Sequence, residues 1–86
     1  MKVQINTQNF FILEQYLEGK GHFVSRHTEH RWDIKTGRDE NDHVLVLKRR
    51  SCLEFTGLNK TASDFYADEF VRFAKRFFGA DIPILD

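Results

Sequence analysis

From Thr61 to Phe78 the apolar residues recur with the period of a helix. At ~100° per residue, Tyr66, Phe70, Phe73 and Phe77 fall within a sector of about 60°, flanked by Ala67, Val71, Ala74 and Phe78. The spacing predicts an amphipathic helix whose aromatic stripe is core. Its polar side holds Asp64, Asp68, Arg72 and Lys75, with acids early and Arg72, Lys75 and Arg76 in the last turns, as the helix dipole favours. Thr61 with Asp64 is the expected N-terminal cap, and Gly79 the left-handed residue that closes the helix. Phe65 departs from the stripe, because its direction falls among Glu69, Arg72 and Arg76. It either folds back onto Leu58 as a hydrophobic staple or stands out as an anchor for a partner.

A shorter stripe of Phe10, Leu13 and Leu17, with Ile12 and Tyr16, predicts a first helix over Gln8 to Glu18, capped by Asn6 or Thr7 and broken by Gly19-Lys20-Gly21. From His22 to Lys35 the period changes to two: Val24, Thr28, His30, Trp32 and Ile34 against Ser25, His27, Glu29, Arg31 and Asp33. That alternation predicts one strand with a wet face. Thr36 to Asp42 is polar and reads as a hairpin loop. Val44 to Leu47 and Cys52 to Thr56 follow as strands, separated by Lys48-Arg49-Arg50-Ser51. Either terminus can add an edge strand, from Met1 to Ile5 or from Ile82 to Leu85, where Pro83 confines the segment to an edge. The expected fold is a single two-layer α+β domain over residues 1–86, ordered helix-strand-strand-strand-helix, with an antiparallel three-stranded sheet packed on two helices.

Eighty-six residues form one small core, which the nine Phe, two Tyr and one Trp help to fill. The single cysteine, Cys52, excludes an intramolecular disulfide and suits a reducing compartment. With no apolar targeting segment at the N-terminus and no run of membrane-spanning length, the expected location is cytoplasmic. Thirteen basic and thirteen acidic side chains cancel, which argues against a protein that holds nucleic acid by charge alone. The balance is local, though: Lys20 to Arg50 contains eight basic and five acidic residues, together with all four histidines.

Concentrated chemistry is scarce. His27 and His30 stand three apart, and on a strand they point to opposite faces, so they cannot close on one metal ion without a bulge. Neither a metal nor a cofactor is expected. His27, Glu29, Arg31 and Asp33 project from one strand face and could serve acid-base chemistry, but a solvated strand face has the same composition. No phosphate-binding glycine loop, nucleophile elbow or Cys-x-x-Cys pair occurs. Arg26, Arg31, Lys48, Arg49 and Arg50 could line a basic strip on the open sheet face, although adjacent Arg49 and Arg50 point oppositely unless the strand ends there.

The order of elements across roughly residues 7–78 resembles that of double-stranded-RNA-binding domains and of the small HicA-type toxins. The first resemblance implies basic residues at the start of the last helix, meeting phosphates; this chain has Thr61-Ala62-Ser63-Asp64 and then Asp68-Glu69, acids that repel a nucleic-acid backbone. The second implies a histidine after Gly-Ser or Gly-Thr, and His30 follows Thr28-Glu29 instead. The remaining expectation is a non-enzymatic module that binds another macromolecule, foremost a protein, through Phe65 and the sheet cations Arg26, Arg31, Lys48, Arg49 and Arg50. A nucleic-acid-binding domain using the basic strip is the second reading, and a small His-dependent ribonuclease-like toxin the third. A homodimer that pairs edge strands or buries Phe65 is a subsidiary expectation.

Overall fold

The computed structural model describes residues 1–85. Nine residues of α1 (Phe10–Glu18) and nineteen of α2 (Lys60–Phe78) cover one face of a five-stranded antiparallel sheet. Its strands are β1 (Lys2–Gln4), β2 (Val24–Thr28), β3 (Arg31–Lys35), β4 (His43–Lys48) and β5 (Cys52–Thr56). They lie in the order β1-β5-β4-β3-β2, so four consecutive strands form a meander and β1 joins its far side.

The α+β class holds, while the sheet has five strands where the sequence pattern indicated three. One reason lies between His22 and Lys35, read above as one strand. A short 3-10 turn over Gly21–Phe23 precedes β2, and the chain then reverses at Glu29 and His30 into β3. The reversal is held by a 3.1 Å hydrogen bond from the His30 amide to Thr28 Oγ1 and by a register shift between Arg26 and Thr28. That bulge lets the alternation run through the turn unbroken, with Arg26 opposite Trp32 and Val24 opposite Ile34. The other reason is β1, which pairs Lys2 with Glu54, Val3 with Leu53 and Gln4 with Cys52. The order of elements therefore departs from the helix-first order on which the two family resemblances rested.

Register and burial agree on which face is core. Trp32 faces Val46, which faces Phe55; Ile34 faces Val44, and Val3 faces Leu53, all of them buried. Along α2 the residues pressed onto this layer are Ser63, Ala67, Phe70 and Ala74. Three of the four are small, so the helix sits close to the sheet, and Phe70 fills the space with Phe55, at a ring separation of 5.9 Å. The aromatic stripe read from sequence is thus core only in part: Tyr66 and Phe73 are half-buried on the side facing α1, and Phe77 is 63% exposed.

The caps show how local chemistry fixes the helix ends. Asn59, rather than Thr61, begins α2, its side-chain oxygen accepting from the Ala62 amide at 3.1 Å. The buried Ser63 hydroxyl donates to the Asn59 carbonyl, also at 3.1 Å. Gly79 ends the helix at φ +64°, as the sequence indicated. Asn6 caps the 3-10 turn that leads into α1, accepting from the Asn9 amide at 2.8 Å.

The two sheet edges differ. The β1 edge is covered by the C-terminal segment, which adds a bridge between Val3 and Ile84 and hydrogen bonds from the Gln4 amide to the Pro83 carbonyl (2.8 Å) and from the Leu85 amide to the Lys2 carbonyl (2.9 Å). Among the described residues nothing pairs with the outer side of β2, where the bulge and the exposed Arg26 and His27 oppose pairing with another chain. No helix among them is long and apolar enough to cross a membrane.

Candidate functional site

α1 and α2 run antiparallel across the sheet, and their contacts fix the register. Phe11 meets Phe78 edge-on at 5.2 Å, Tyr16 meets Phe73 at 5.6 Å, and Lys20 pairs with Glu69. The outward side of this helix layer is where unexpected chemistry collects.

Phe11, Phe77 and Phe78 are 49%, 63% and 40% exposed, and they lie together. Phe73 joins them, 5.0 Å from Phe77 and 5.8 Å from Phe78. The Arg76 guanidinium lies over the Phe77 ring at 5.5 Å. A shallow groove beside the cluster runs along Glu69, Arg72, Phe73, Arg76 and Phe77. Four phenylalanines linked ring to ring, three of them open to water, form an apolar patch of the sort that marks an interaction surface.

Farther along the same helix pair the chemistry is polar and self-contained. The Tyr16 hydroxyl donates to Glu69 Oε1 at 2.8 Å, and Lys20 donates to the same oxygen. The Lys20 ammonium also lies over the rings of Tyr16 and Tyr66, at 5.1 and 5.2 Å. Burial, reinforced by the Glu69 carboxylate, holds the Tyr16 phenol far above its ordinary range. For Glu69 burial acts upward, but the hydrogen bonds from Lys20 and Tyr16 outweigh it and leave the carboxyl below its usual range.

The cations predicted to share one strip are divided between both faces. Arg26 points to the helix side, 5.7 Å over the Trp32 ring, with Nε donating to the Thr28 carbonyl at 3.2 Å. Lys48 lies on that side too, 4.6 Å over the Phe10 ring. Arg31 is on the open face, opposite Leu47. Arg49 is paired with Glu54, Nη2 to Oε1 at 2.8 Å, and this hydrogen bond holds the Glu54 carboxyl below its ordinary range. Arg50 is exposed in the turn before β5.

Phe65 is 51% exposed and lies edge-on to Tyr66 at 5.3 Å, while Leu58, 83% exposed, makes no staple with it. His27 pairs with Asp33 on the open face, and His30 sits in the exposed turn. Cys52 is a free, half-buried thiol. Among the described residues no three His, Cys, Asp or Glu side chains converge as a metal site would require.

Phe11 and the outward role of Phe77 and Phe78 are what sequence reasoning missed. Phe11 lies off the stripe of its own helix, and that was the available signal. Comparison with known proteins returns no match, whether to a family model, a curated protein or a solved structure.

Proposed function

We propose that this chain is a small, non-enzymatic interaction module of the regulatory or inhibitory type, working in the cytoplasm, whose partner is a protein. The observation that supports the reading is the Phe11-Phe73-Phe77-Phe78 cluster on the outer side of the helix pair. Covering a phenylalanine that water now reaches gains roughly 1.5–3 kcal/mol when burial is complete, so three such rings can anchor an interface. Arg72 and Arg76 border the cluster and make no ion pair among the described residues, which gives the apolar centre a polar rim. The free Cys52 is compatible with a reducing cytoplasm. Nucleic-acid binding has weaker support, because its five cations are split between two faces and Arg49 is neutralised by Glu54.

The test is photo-crosslinking in living cells, with a photoreactive phenylalanine analogue in place of Phe77 and, as control, in place of Thr56 on the open sheet face. A discrete adduct to a protein from position 77, with none from position 56, is the expected result. No adduct from position 77, or the same adducts from both positions, would remove the reading.

A further inference from the structure

The charges on either side of the aromatic cluster are arranged asymmetrically. On α1, Glu14 and Glu18 lie beyond Phe11 on the side away from α2, where they border a groove with Trp32 and Arg26. On α2, Arg72 and Arg76 lie beyond Phe77, and Arg72 reaches the far side near Lys75 and Ile82. Neither glutamate and neither arginine is in an ion pair among the described residues. Crossing the face therefore means passing from an acidic strip, over an apolar centre, to a strip in which Arg72 and Arg76 stand beside Glu69. Arg26, which lines the same groove as the acidic strip, is turned onto Trp32 and Thr28.

The two strips also match in height. At a rise of ~1.5 Å per residue, counted from the Phe11–Phe78 contact, Glu14 and Glu18 stand about 4.5 and 10.5 Å along α1. On the same scale Arg76 and Arg72 stand about 3 and 9 Å along α2. The scale is checked by Tyr16 and Phe73, which it places level at about 7.5 Å and whose rings do touch.

We propose that this face docks on a second copy of the chain, about a two-fold axis parallel to the helices, so that Glu14 and Glu18 of one copy face the partner's Arg76 and the partner's Arg72. A two-fold axis in the plane of the face permits two simple dockings. With the axis across the helices, acid meets acid and base meets base. With the axis along them, each acidic strip meets a basic one, and α1 lies antiparallel to the partner's α2. Phe11, Phe77 and Phe78 of both copies then share one dry centre. The burial supplies the affinity, and the rim charges choose the orientation. This inference rests on the interaction reading above and names its partner.

Two charge variants test it, Glu14→Arg with Glu18→Arg and Arg72→Glu with Arg76→Glu, all at exposed positions. By sedimentation at high micromolar concentration the unaltered chain is expected to have the mass of a dimer. Each variant alone should associate ~tenfold or more weakly, and an equimolar mixture of the two should recover a heterodimer, because every facing pair is then opposite in charge. Circular dichroism of each variant confirms that the fold is kept, and Phe77→Ser provides an independent break of the apolar centre. A monomer for the unaltered chain, unchanged association of either variant, or a mixture that stays monomeric would overturn the proposal. The crosslinking experiment separates the two levels. An adduct of twice the chain mass supports both, an adduct to a different protein removes the second copy and leaves the interaction reading, and no adduct removes both.

Discussion

The two ends of the helix pair are built on opposite terms. Where Tyr16, Lys20 and Glu69 meet, each polar group finds its partner inside the chain, and the phenol and carboxylate titrate accordingly. Where Phe11, Phe73, Phe77 and Phe78 meet, three rings stay open to water, held only by ring contacts within the cluster and, at Phe77, by the Arg76 guanidinium. The first end satisfies its polar groups within a single copy; the second leaves apolar surface open to water. A helix pair can therefore satisfy its polar groups internally along half its length and leave an apolar patch open along the other half, with no change of fold between them.

The largest expected effect lies beneath both ends. Phe70→Ala removes the ring that joins α2 to Phe55 and Tyr16, and chemical denaturation should show a loss of roughly 3–5 kcal/mol. Equal loss of the polar and aromatic ends would follow, so this variant marks the limit of the comparison. Glu69→Ala acts on the polar end alone. It leaves the Tyr16 hydroxyl with the Tyr66 carbonyl at 3.4 Å, and an unfolding loss of about 1–3 kcal/mol is expected.

The pH dependence of stability sharpens the same contrast. The Glu69 carboxyl titrates lower in the folded chain than in the unfolded one, so its contribution is fully present above the unfolded value of ~4.3. It is lost as pH falls through the folded value. Glu69→Gln should flatten that acid limb in a series of denaturation curves; an unchanged limb would mean that the cluster contributes nothing to acid sensitivity.

Gly79→Ala comes next, at about 1 kcal/mol, because φ +64° disfavours a side chain even though no heavy atom stands within 4 Å of the added methyl. The smallest effect on the fold belongs to the aromatic end. Phe77→Ser should leave the unfolding free energy of a single copy within about 0.5 kcal/mol, while association is lost. A large drop in monomer stability would show instead that the patch belongs to the core.

The elements legible in the sequence were those whose pattern had one cause. In α2 the helical period, the charge order and Gly79 all follow from packing on a sheet, and they gave its direction and its C-terminal end. The β2–β3 hairpin was hidden because its bulge preserves the alternation across the turn, and no Gly, Pro, Asn or Asp marks Glu29-His30. At the N-terminal end of α2, Thr61 and Asn59 both have cap chemistry, and it is the Asn59 side chain that accepts from the Ala62 amide. Phe77 was misread for a different reason. Periodicity reports the direction of a side chain around its helix, whereas burial depends on what stands opposite, and Phe77, against Phe73 and Arg76 of its own helix, stays 63% exposed.

The placing of β1 has a temporal side. Lys2 pairs with Glu54 and Val3 with Ile84, so the strand leaves the ribosome before any segment it will join. The meander from β2 to β5 can close from neighbour to neighbour over short loops, but the β1 edge must wait for segments far apart in sequence to meet. Until β1 adds to it β5 is itself an open edge, and until Ile84 arrives the outer side of β1 is another, so that span is when a nascent chain is most exposed to pairing with the wrong strand.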